Sequence, residues 1–448
     1  MQSVNVYTLA GESTFNRFHR LILFWCVLIL IIDGYDLAVV GAALPAIMQD
    51  MGIDATSAGV MAGSALLGTM LGAIFLGTLA DRIGRPKMIA ICVALFSLFT
   101  AAAGVTSDPI SFSISRFIAG LGIGGVLPIV TAQMGEFSPA KLRTRLVTLV
   151  FAGYSVGGIL VALTGKQLIE SHGWQSVFFV AGLPVVLIPL IFKTMPESMA
   201  YLLKQGRQAE LRAIVQRICP NLRLDDDVVF AGNPTETKAA LDSPIKGLFS
   251  EGRGFSTVMI WAAFMTGLFM VYALNSWLTK LMAMSGHSLG SALNFVIVFN
   301  VGAIVGAIGG GWLSDKLNIK HVLIAFYVVG ALALTAMAFT RSTELLFVVV
   351  FIVGASTLGT QLIAYAYAGD FYPTPIRSTG VGFASGVGRI GAIIAPVLIG
   401  WLVSLALPLE QNFMVIALAG LIGALAVTFV NQSRADSHQV SKLPALSR

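Results

Sequence analysis

Two carboxylates, Asp33 and Asp36, stand inside an apolar stretch near the start of this chain. Leu21 to Ile32 before them carries no polar side chain, and Leu37 to Leu44 after them is apolar as well. A carboxylate at the middle of a bilayer costs roughly 2.5–3.5 kcal/mol on insertion scales, so it needs a partner or a purpose. Helix positions three apart share one face. Asp33 and Asp36 therefore put two titratable groups on one stripe of a membrane helix, an arrangement suited to handling protons along a water-filled path. Two arginines, Arg116 and Arg389, also lie in apolar stretches.

The elements that hold these groups follow from composition. Of 448 residues, 56% are hydrophobic and 11% charged, and the mean hydropathy is +0.85. Soluble domains carry about 25% charged residues, so the chain reads as a polytopic helical membrane protein. About 20 apolar residues cross a bilayer. By that measure twelve spans are expected at 21–45, 57–79, 87–106, 110–134, 145–168, 175–193, 255–280, 289–313, 320–340, 344–368, 377–404 and 412–431. The first follows Arg17 and Arg20 and resembles a signal peptide, but no small-residue cleavage site follows, so it is expected to be retained. A polar stretch, about 194–253, separates six spans from six; it contains Asp225-Asp226-Asp227. Pro196 to Ile218 reads as a helix with Met199, Leu202, Leu203, Leu211, Ile214 and Ile218 on one apolar side.

Basic residues set the orientation. Arg17 and Arg20 precede span one. Arg82, Arg85 and Lys87 follow span two, and Lys141, Arg143 and Arg145 follow span four. Lys316 and Lys320 follow span eight; Arg434, Lys442 and Arg448 follow span twelve. Lys280 and Arg341 are exceptions on the other side. Both termini are expected in the cytoplasm, and the net charge of +6 reflects these loops rather than nucleic-acid binding. Cys26, Cys92 and Cys219 match no metal or redox spacing, and no cofactor or metal is expected.

The two halves repeat. Gly77-Thr78-Leu79-Ala80-Asp81-Arg82 returns as Gly311-Trp312-Leu313-Ser314-Asp315-Lys316, an offset of 234 residues. Gly135-Glu136-Phe137-Ser138-Pro139 with Arg143 returns at the same offset as Gly369-Asp370-Phe371-Tyr372-Pro373 with Arg377. Two matches at one offset indicate duplication. Parallel six-helix repeats are a transporter architecture. The expected organisation is a first six-helix bundle over 1–195, a linker over 196–253, a second bundle over 254–431 and a tail over 432–448.

The stretch Gly77 to Lys87, with Asp81, Arg82, Gly84 and Arg85, resembles the loop signature of the major facilitator superfamily. Asp33-Gly34-Tyr35-Asp36, Arg116-Phe117 followed by Gly120, Gly122, Gly124 and Gly125, and Gly388-Arg389 narrow the resemblance to the aromatic acid:proton symporter family. The resemblance covers essentially the whole chain. It implies an all-α integral membrane fold of twelve helices in two six-helix bundles related by pseudo-two-fold symmetry. It also implies import of a small aromatic carboxylate, benzoate or hydroxybenzoate, with a proton across the inner membrane, by a functional monomer that is not an enzyme. An exporter, a carrier for another organic anion or a polyol, and a transport-like sensor or membrane enzyme are the rival readings. The second loop copy departs from the first, with Leu317-Asn318 where the first has Ile83-Gly84.

At about 1.5 Å rise per residue, Asp33 lies roughly 18 Å beyond Leu21, Arg116 roughly 9 Å into span four and Arg389 roughly 18 Å above Arg377. Asp36 and Arg116 share a depth and can pair, either as a structural salt bridge or as a pair that responds to protonation. Asp33 is a proton-carrier candidate whose structural alternative is helix–helix hydrogen bonding, and the residues do not decide between the two aspartates. Arg389 is a lone cation whose counterpart at the repeat offset is Ser155; pairing with Asp33 in the empty carrier and a purely structural role are the alternatives. A guanidinium binds a carboxylate with two parallel hydrogen bonds, so Arg389 is the candidate for the substrate anion, with Arg116 next. Tyr272, Asn275 and Trp277 in span seven, Asn300 in span eight, and Gln361 and Tyr365 in span ten form a candidate polar-aromatic lining. The alternative for each is ordinary packing. Gly120, Gly122, Gly124, Gly125, Gly382, Gly386, Gly388 and Gly391 lie within apolar spans and read as close-packing positions rather than phosphate loops. Asp81, Arg82 and Arg85, with Glu136 and Arg143, and in the second copy Asp315, Asp370 and Arg377, are candidates for a conformational latch at the cytoplasmic helix ends; topology-setting surface charge is the alternative.

Overall fold

The computed structural model describes residues 3–220, 222, 228–231, 244–373 and 376–434. The acidic run Asp225-Asp226-Asp227 and the basic residues Lys442 and Arg448 lie outside them. Among the described residues, twelve helical segments are long and apolar enough to cross a membrane. The first five are α2 (Arg17–Met51), α3 (Ala55–Ile83), α4 (Arg85–Ala103), α5 (Pro109–Phe137) and α6 (Arg143–His172). The sixth is broken into α7 (Gln175–Gly182), a 3₁₀ turn (Leu183–Leu187) and α8 (Ile188–Thr194). Pro184 and Pro189 each remove a backbone donor there, which explains why span six is not one regular α-helix. The later six are α12 (Gly254–Met284), α13 (Leu289–Lys316), α14 (Ile319–Phe339), α15 (Thr343–Phe371), α16 (Arg377–Ser404) and α17 (Leu409–Phe429).

The repeat is carried into the elements. The starts of α3, α4, α5 and α6 (Ala55, Arg85, Pro109 and Arg143) return 234 residues later as the starts of α13, α14, α15 and α16 (Leu289, Ile319, Thr343 and Arg377). Packing repeats as well. A Cβ at Gly68 would overlap the Phe117 carbonyl, and a Cβ at Gly302 would overlap the Phe351 carbonyl, at equivalent positions of the two α3–α5-type crossings. Small residues here let backbones approach without a side chain between them.

Two compact units result. One comprises Met1–Val39 and Ser64–Thr237, the other Val40–Gly63 and Lys238–Arg448. The short elements of the first unit begin with β1 (Ser3–Asn5), α1 (Val6–Glu12), α9 (Met199–Lys204), α10 (Gln208–Ile218) and β2 (Val229–Ala231). The helix expected over Pro196 to Ile218 is two helices. Gly206, at φ +68°, turns the chain between them, a backbone conformation that favours glycine. Met199, Leu202, Leu211, Ile214 and Ile218 of the expected apolar side are buried, and Leu203 is half-buried. The all-helical expectation has one exception among the described residues, the parallel pairing of β1 with β2, Ser3 opposite Val229. The Asn16 amide donates to the carbonyls of Arg217 (3.1 Å) and Ile218 (2.9 Å), which closes the open end of α10.

In the second unit α11 (Pro244–Phe249) leads into α12. Trp277 Nε1 donates to the Pro396 carbonyl at 2.9 Å and is fully buried. The segment 40–63 packs in this unit: a Cβ at Gly41 would overlap the Asn275 carbonyl, and Thr56 Oγ1 donates to Ser404 Oγ at 3.0 Å.

Candidate functional site

In the first unit, α2 presents Asp33, Tyr35 and Asp36 to its neighbours, all buried. Gly34 lets this happen, because a Cβ there would overlap the Tyr154 carbonyl of α6. Arg116 of α5 donates from Nη1 to Asp36 Oδ1 at 2.6 Å and from Nη2 to the Asp36 carbonyl at 3.0 Å. The two side chains are 0% and 1% exposed. Thr100 of α4 completes the group: its hydroxyl donates to Asp36 Oδ1 at 2.6 Å and accepts from Arg116 Nη1. Among the described residues, Asp36 Oδ2 and Arg116 Nε have no hydrogen-bond partner. Tyr35 is tied down separately, its hydroxyl 2.8 Å from Thr164 Oγ1. Asp33 lies one turn away, within electrostatic reach of Cys92 on α4.

A buried ion pair of this kind adds little net stability, since desolvation offsets most of the attraction. What it does supply is a charge balance that one proton changes. Neutral Asp36 would leave Arg116 as a bare cation held only by the carboxyl and carbonyl oxygens and the Thr100 hydroxyl.

In the second unit Arg389 is half-buried and, among the described residues, forms no ion pair. One turn below it on α16, Ser385 Oγ lies 2.7 Å from Tyr365 OH of α15. Phe264 of α12 sits edge-on to the Tyr365 ring, centroids 5.0 Å apart. Gln361, one turn from Tyr365, is buried with neither amide atom bonded among the described residues. Gly382 and Gly386 were expected to be close-packing positions; instead a Cβ at either would meet nothing within 4 Å. With Gly382, Gly386 and Arg389 spaced by four and three residues, α16 carries an open strip ending at the guanidinium. Gly388 and Gly391, on another face, do pack closely, against Leu268 and the Met265 carbonyl.

The other candidate lining residues divide. Tyr272 and Asn275 are half-buried, and the Asn275 carbonyl is the surface that Gly41 meets. Trp277 has its indole N–H committed to Pro396. Asn300 donates to Val296 within its own helix at 2.9 Å.

These two sites sit in a chain whose kinship is direct. The sequence profile described as Major Facilitator Superfamily matches residues 26–340 and 284–447. The chain belongs to the major facilitator superfamily. It is 39% identical to the benzoate transport protein of Acinetobacter baylyi over 97% of this chain and 94% of that one. It is 33% identical to the gallate transporter of Pseudomonas putida over 91% and 90%. Its fold is similar to that of the Escherichia coli xylose transporter XylE, with a TM-score of 0.69 at 18% identity, covering 92% of this chain and all of that one. The chain is thus a multi-pass membrane protein whose relatives are aromatic-acid transporters.

As a major facilitator protein it carries the family's loop signature twice, in two different chemistries. In the first copy Gly84 has φ +97°, and a Cβ there would overlap the Glu197 carboxylate. Glu197 Oε1 accepts from the Arg85 backbone N–H at 2.8 Å, at the start of α4. The Arg85 side chain bonds Glu136 and reaches Gln133 Oε1 at 3.3 Å. Glu136 was expected to act with Arg143. Its oxygens are instead taken by Arg85, by the Ser198 hydroxyl at 2.9 Å and by the Ala200 N–H at 3.0 Å, and Arg143 is exposed. Arg85 is closer because it opens α4 beside the end of α5, whereas Arg143 starts α6 facing outward. Asp81 and Arg82 are exposed.

The second copy replaces the glycine turn with an Asn cap: Asn318 Oδ1 accepts from Lys320 N–H at 3.0 Å. Lys320 Nζ then donates to the carbonyls of Thr428 (2.9 Å) and Val430 (2.8 Å), favourable for a cation at the end of α17. Asp315 and Asp370 are exposed, and Arg377 Nε donates to the Tyr372 carbonyl at 3.4 Å. Burial pushes the Tyr372 hydroxyl up to about 12. Thr100, Ser385 and Glu197 are site residues that composition and spacing did not single out. Thr100 and Ser385 are ordinary polar residues in apolar spans. Glu197 had a signal, the Pro196-Glu197-Ser198 run at the end of span six.

Among the described residues no group of three or more His, Cys, Asp or Glu could hold a metal ion.

Proposed function

We propose that this chain imports a small aromatic carboxylate of the benzoate or hydroxybenzoate type together with a proton, by alternating access. The observation that carries the reading is Arg389: a half-buried guanidinium in a membrane-spanning helix with no ion pair among the described residues. Leaving such a charge without a counter-ion is costly, and a substrate carboxylate offers a planar two-oxygen match to it. The open strip at Gly382 and Gly386 gives a flat ring room beside it, and Phe264 and Tyr365 offer the aromatic contacts such a ring favours. The names of the relatives, transporters of benzoate and gallate, support the same substrate class.

The proton enters on the other unit. The buried Asp36–Arg116 pair changes net charge on protonation, and Asp33 one turn away extends the same stripe. The chain lies in the inner membrane with both termini in the cytoplasm and works as a monomer; the distribution of Arg and Lys supports that orientation. The Arg85–Glu136–Glu197 cluster acts as the latch of the first repeat.

Uptake of labelled benzoate into proteoliposomes, challenged with a panel of unlabelled carboxylates and their amides, tests the substrate class. Aromatic carboxylates should compete strongly and their amides far more weakly. Competition by a polyol, or by aliphatic acids as strongly as by benzoate, would exclude the reading.

A further inference from the structure

We infer that Thr100 is a positioning residue for proton coupling: its hydroxyl holds Asp36 and Arg116 so that Oδ1 is fully engaged and Oδ2 is the atom that receives the proton. The inference rests on the reading that Asp36 takes part in coupling. It draws on a feature of α4 that neither the repeat nor the loop signature contains. At the repeat offset Thr100, Asp36 and Arg116 correspond to Leu334, Met270 and Val350, so the whole group is particular to the first half.

The donors and acceptors at this group decide which carboxylate oxygen is free. The Thr100 hydroxyl has one hydrogen and two lone pairs. The hydrogen goes to Asp36 Oδ1 at 2.6 Å, and a lone pair takes the Arg116 Nη1–H. Asp36 Oδ1 receives both Thr100 and Arg116 Nη1, while one Nη2–H of Arg116 goes to the Asp36 carbonyl. Oδ2 is buried and, among the described residues, accepts nothing. A hydronium ion arriving there gives its proton to Oδ2 and leaves as water. The O–H bond forms at the free oxygen, no existing hydrogen bond has to break first, and the pair passes from net zero to net +1. Oδ1 remains an acceptor for both donors, so the neutral carboxyl is still held in place.

Among the described residues, the charged and titratable groups around Asp36 are few. Arg116 faces it from α5, and Tyr35 and Asp33 lie on its own helix. The backbone of Tyr154 on α6 packs against Gly34, and Cys92 on α4 lies near Asp33. Thr100 is the hydroxyl that touches both members of the pair. Removing it takes a donor from the charged carboxylate, which disfavours the charged form, so the carboxylate should accept its proton at higher pH.

The test is the pH profile of labelled benzoate uptake by full-length protein in proteoliposomes, for Thr100→Val, Thr100→Ser and Asp36→Asn, with counterflow as a measure of intact protein. Thr100→Val should move the midpoint of uptake upward by about one pH unit, the size of shift that a lost hydrogen bond to a charged group produces. Thr100→Ser keeps the hydroxyl and should retain the parent midpoint. A Thr100→Val midpoint equal to the parent's, or a Thr100→Ser midpoint displaced as far as that of Thr100→Val, would overturn the inference. So would Thr100→Val that has lost counterflow while Thr100→Ser also has. Asp36→Asn separates the two levels. If it loses accumulation and keeps counterflow while Thr100→Val behaves as the parent, only the role of Thr100 fails. If Asp36→Asn accumulates substrate normally, the coupling role of Asp36 fails, and the inference with it.

Discussion

Arg116 holds Asp36 twice, through the carboxylate at 2.6 Å and through the backbone carbonyl of the same residue at 3.0 Å. The second bond survives any change in the charge of the carboxylate. The guanidinium therefore stays on α2 when the ion pair is discharged, and what changes on protonation is the field around it rather than its anchorage.

Removing one member of this pair should be worse than removing both charges. Arg116→Gln alone leaves a buried carboxylate without its cation, at a cost of about 3–5 kcal/mol for a buried pair. The double substitution Asp36→Asn with Arg116→Gln leaves two neutral amides that can bond each other and Thr100. Thermal unfolding in detergent should place the double variant above the Arg116→Gln single variant. Additive losses would mean the pair carries no coupling.

Arg85 and Glu136 should behave as a coupled pair, and Arg143 and Glu136 should not. The first two are nearly buried, 12% and 6% exposed, and Glu136 is further held by Ser198 and Ala200. A double-mutant cycle of Arg85→Ala with Glu136→Ala should give a coupling of about 0.5–3 kcal/mol, the range for contacting residues. The cycle of Arg143→Ala with Glu136→Ala should be additive within error.

Glycines that look alike in the sequence should answer differently to alanine. Gly34→Ala drives a methyl group into the Tyr154 backbone, which cannot swing aside, and should lower the yield of folded protein and its Tm. Gly382→Ala adds a methyl to open space and gains up to about 1 kcal/mol of helix propensity. Its Tm should equal or exceed the parent's. A drop in Tm for Gly382→Ala as large as that for Gly34→Ala would contradict the packing described.

Arg389 should govern affinity for the carboxylate. Arg389→Lys retains charge and loses the planar fork, so binding should weaken by at least tenfold; Arg389→Ala should nearly abolish it with the protein still inserted. Binding of the matching uncharged amide should change far less. Unchanged benzoate affinity in Arg389→Ala would move the anion site elsewhere, with Arg116 the next candidate.

Much of this architecture was legible because membranes impose one strong rule, that a crossing is a long apolar helix. The twelve spans followed from it, and the duplication followed from two short motifs at one offset. Asp36 and Arg116 could be paired from depth alone, since 1.5 Å per residue turns position into height. Lateral facts were not legible. Which of several cations meets Glu136 depends on how α4 and α5 abut, and spacing along the chain says nothing about that, so Arg143 stood where Arg85 belongs. Gly382 and Gly388 carry the same side chain in the same helix, yet one faces open space and the other Leu268. Thr100 was invisible for a similar reason: a hydroxyl in an apolar span usually bonds its own helix, as Thr69 does to Ala65 at 2.7 Å. The break in span six and the division of Pro196 to Ile218 into two helices were readable in hindsight from Pro184 and Gly206, but each residue also occurs within or beside unbroken helices.

The central claim is that a proton gradient drives an aromatic carboxylate through this protein by way of the carboxylates on α2. The most direct measurement is accumulation of labelled benzoate in proteoliposomes with acid outside, for the parent and for Asp33→Asn and Asp36→Asn, with and without a protonophore. The account predicts uphill accumulation by the parent, its loss on adding the protonophore, and loss of accumulation with retained counterflow in at least one of the two variants. Accumulation that persists with the proton gradient collapsed, or full accumulation by both variants, would contradict it.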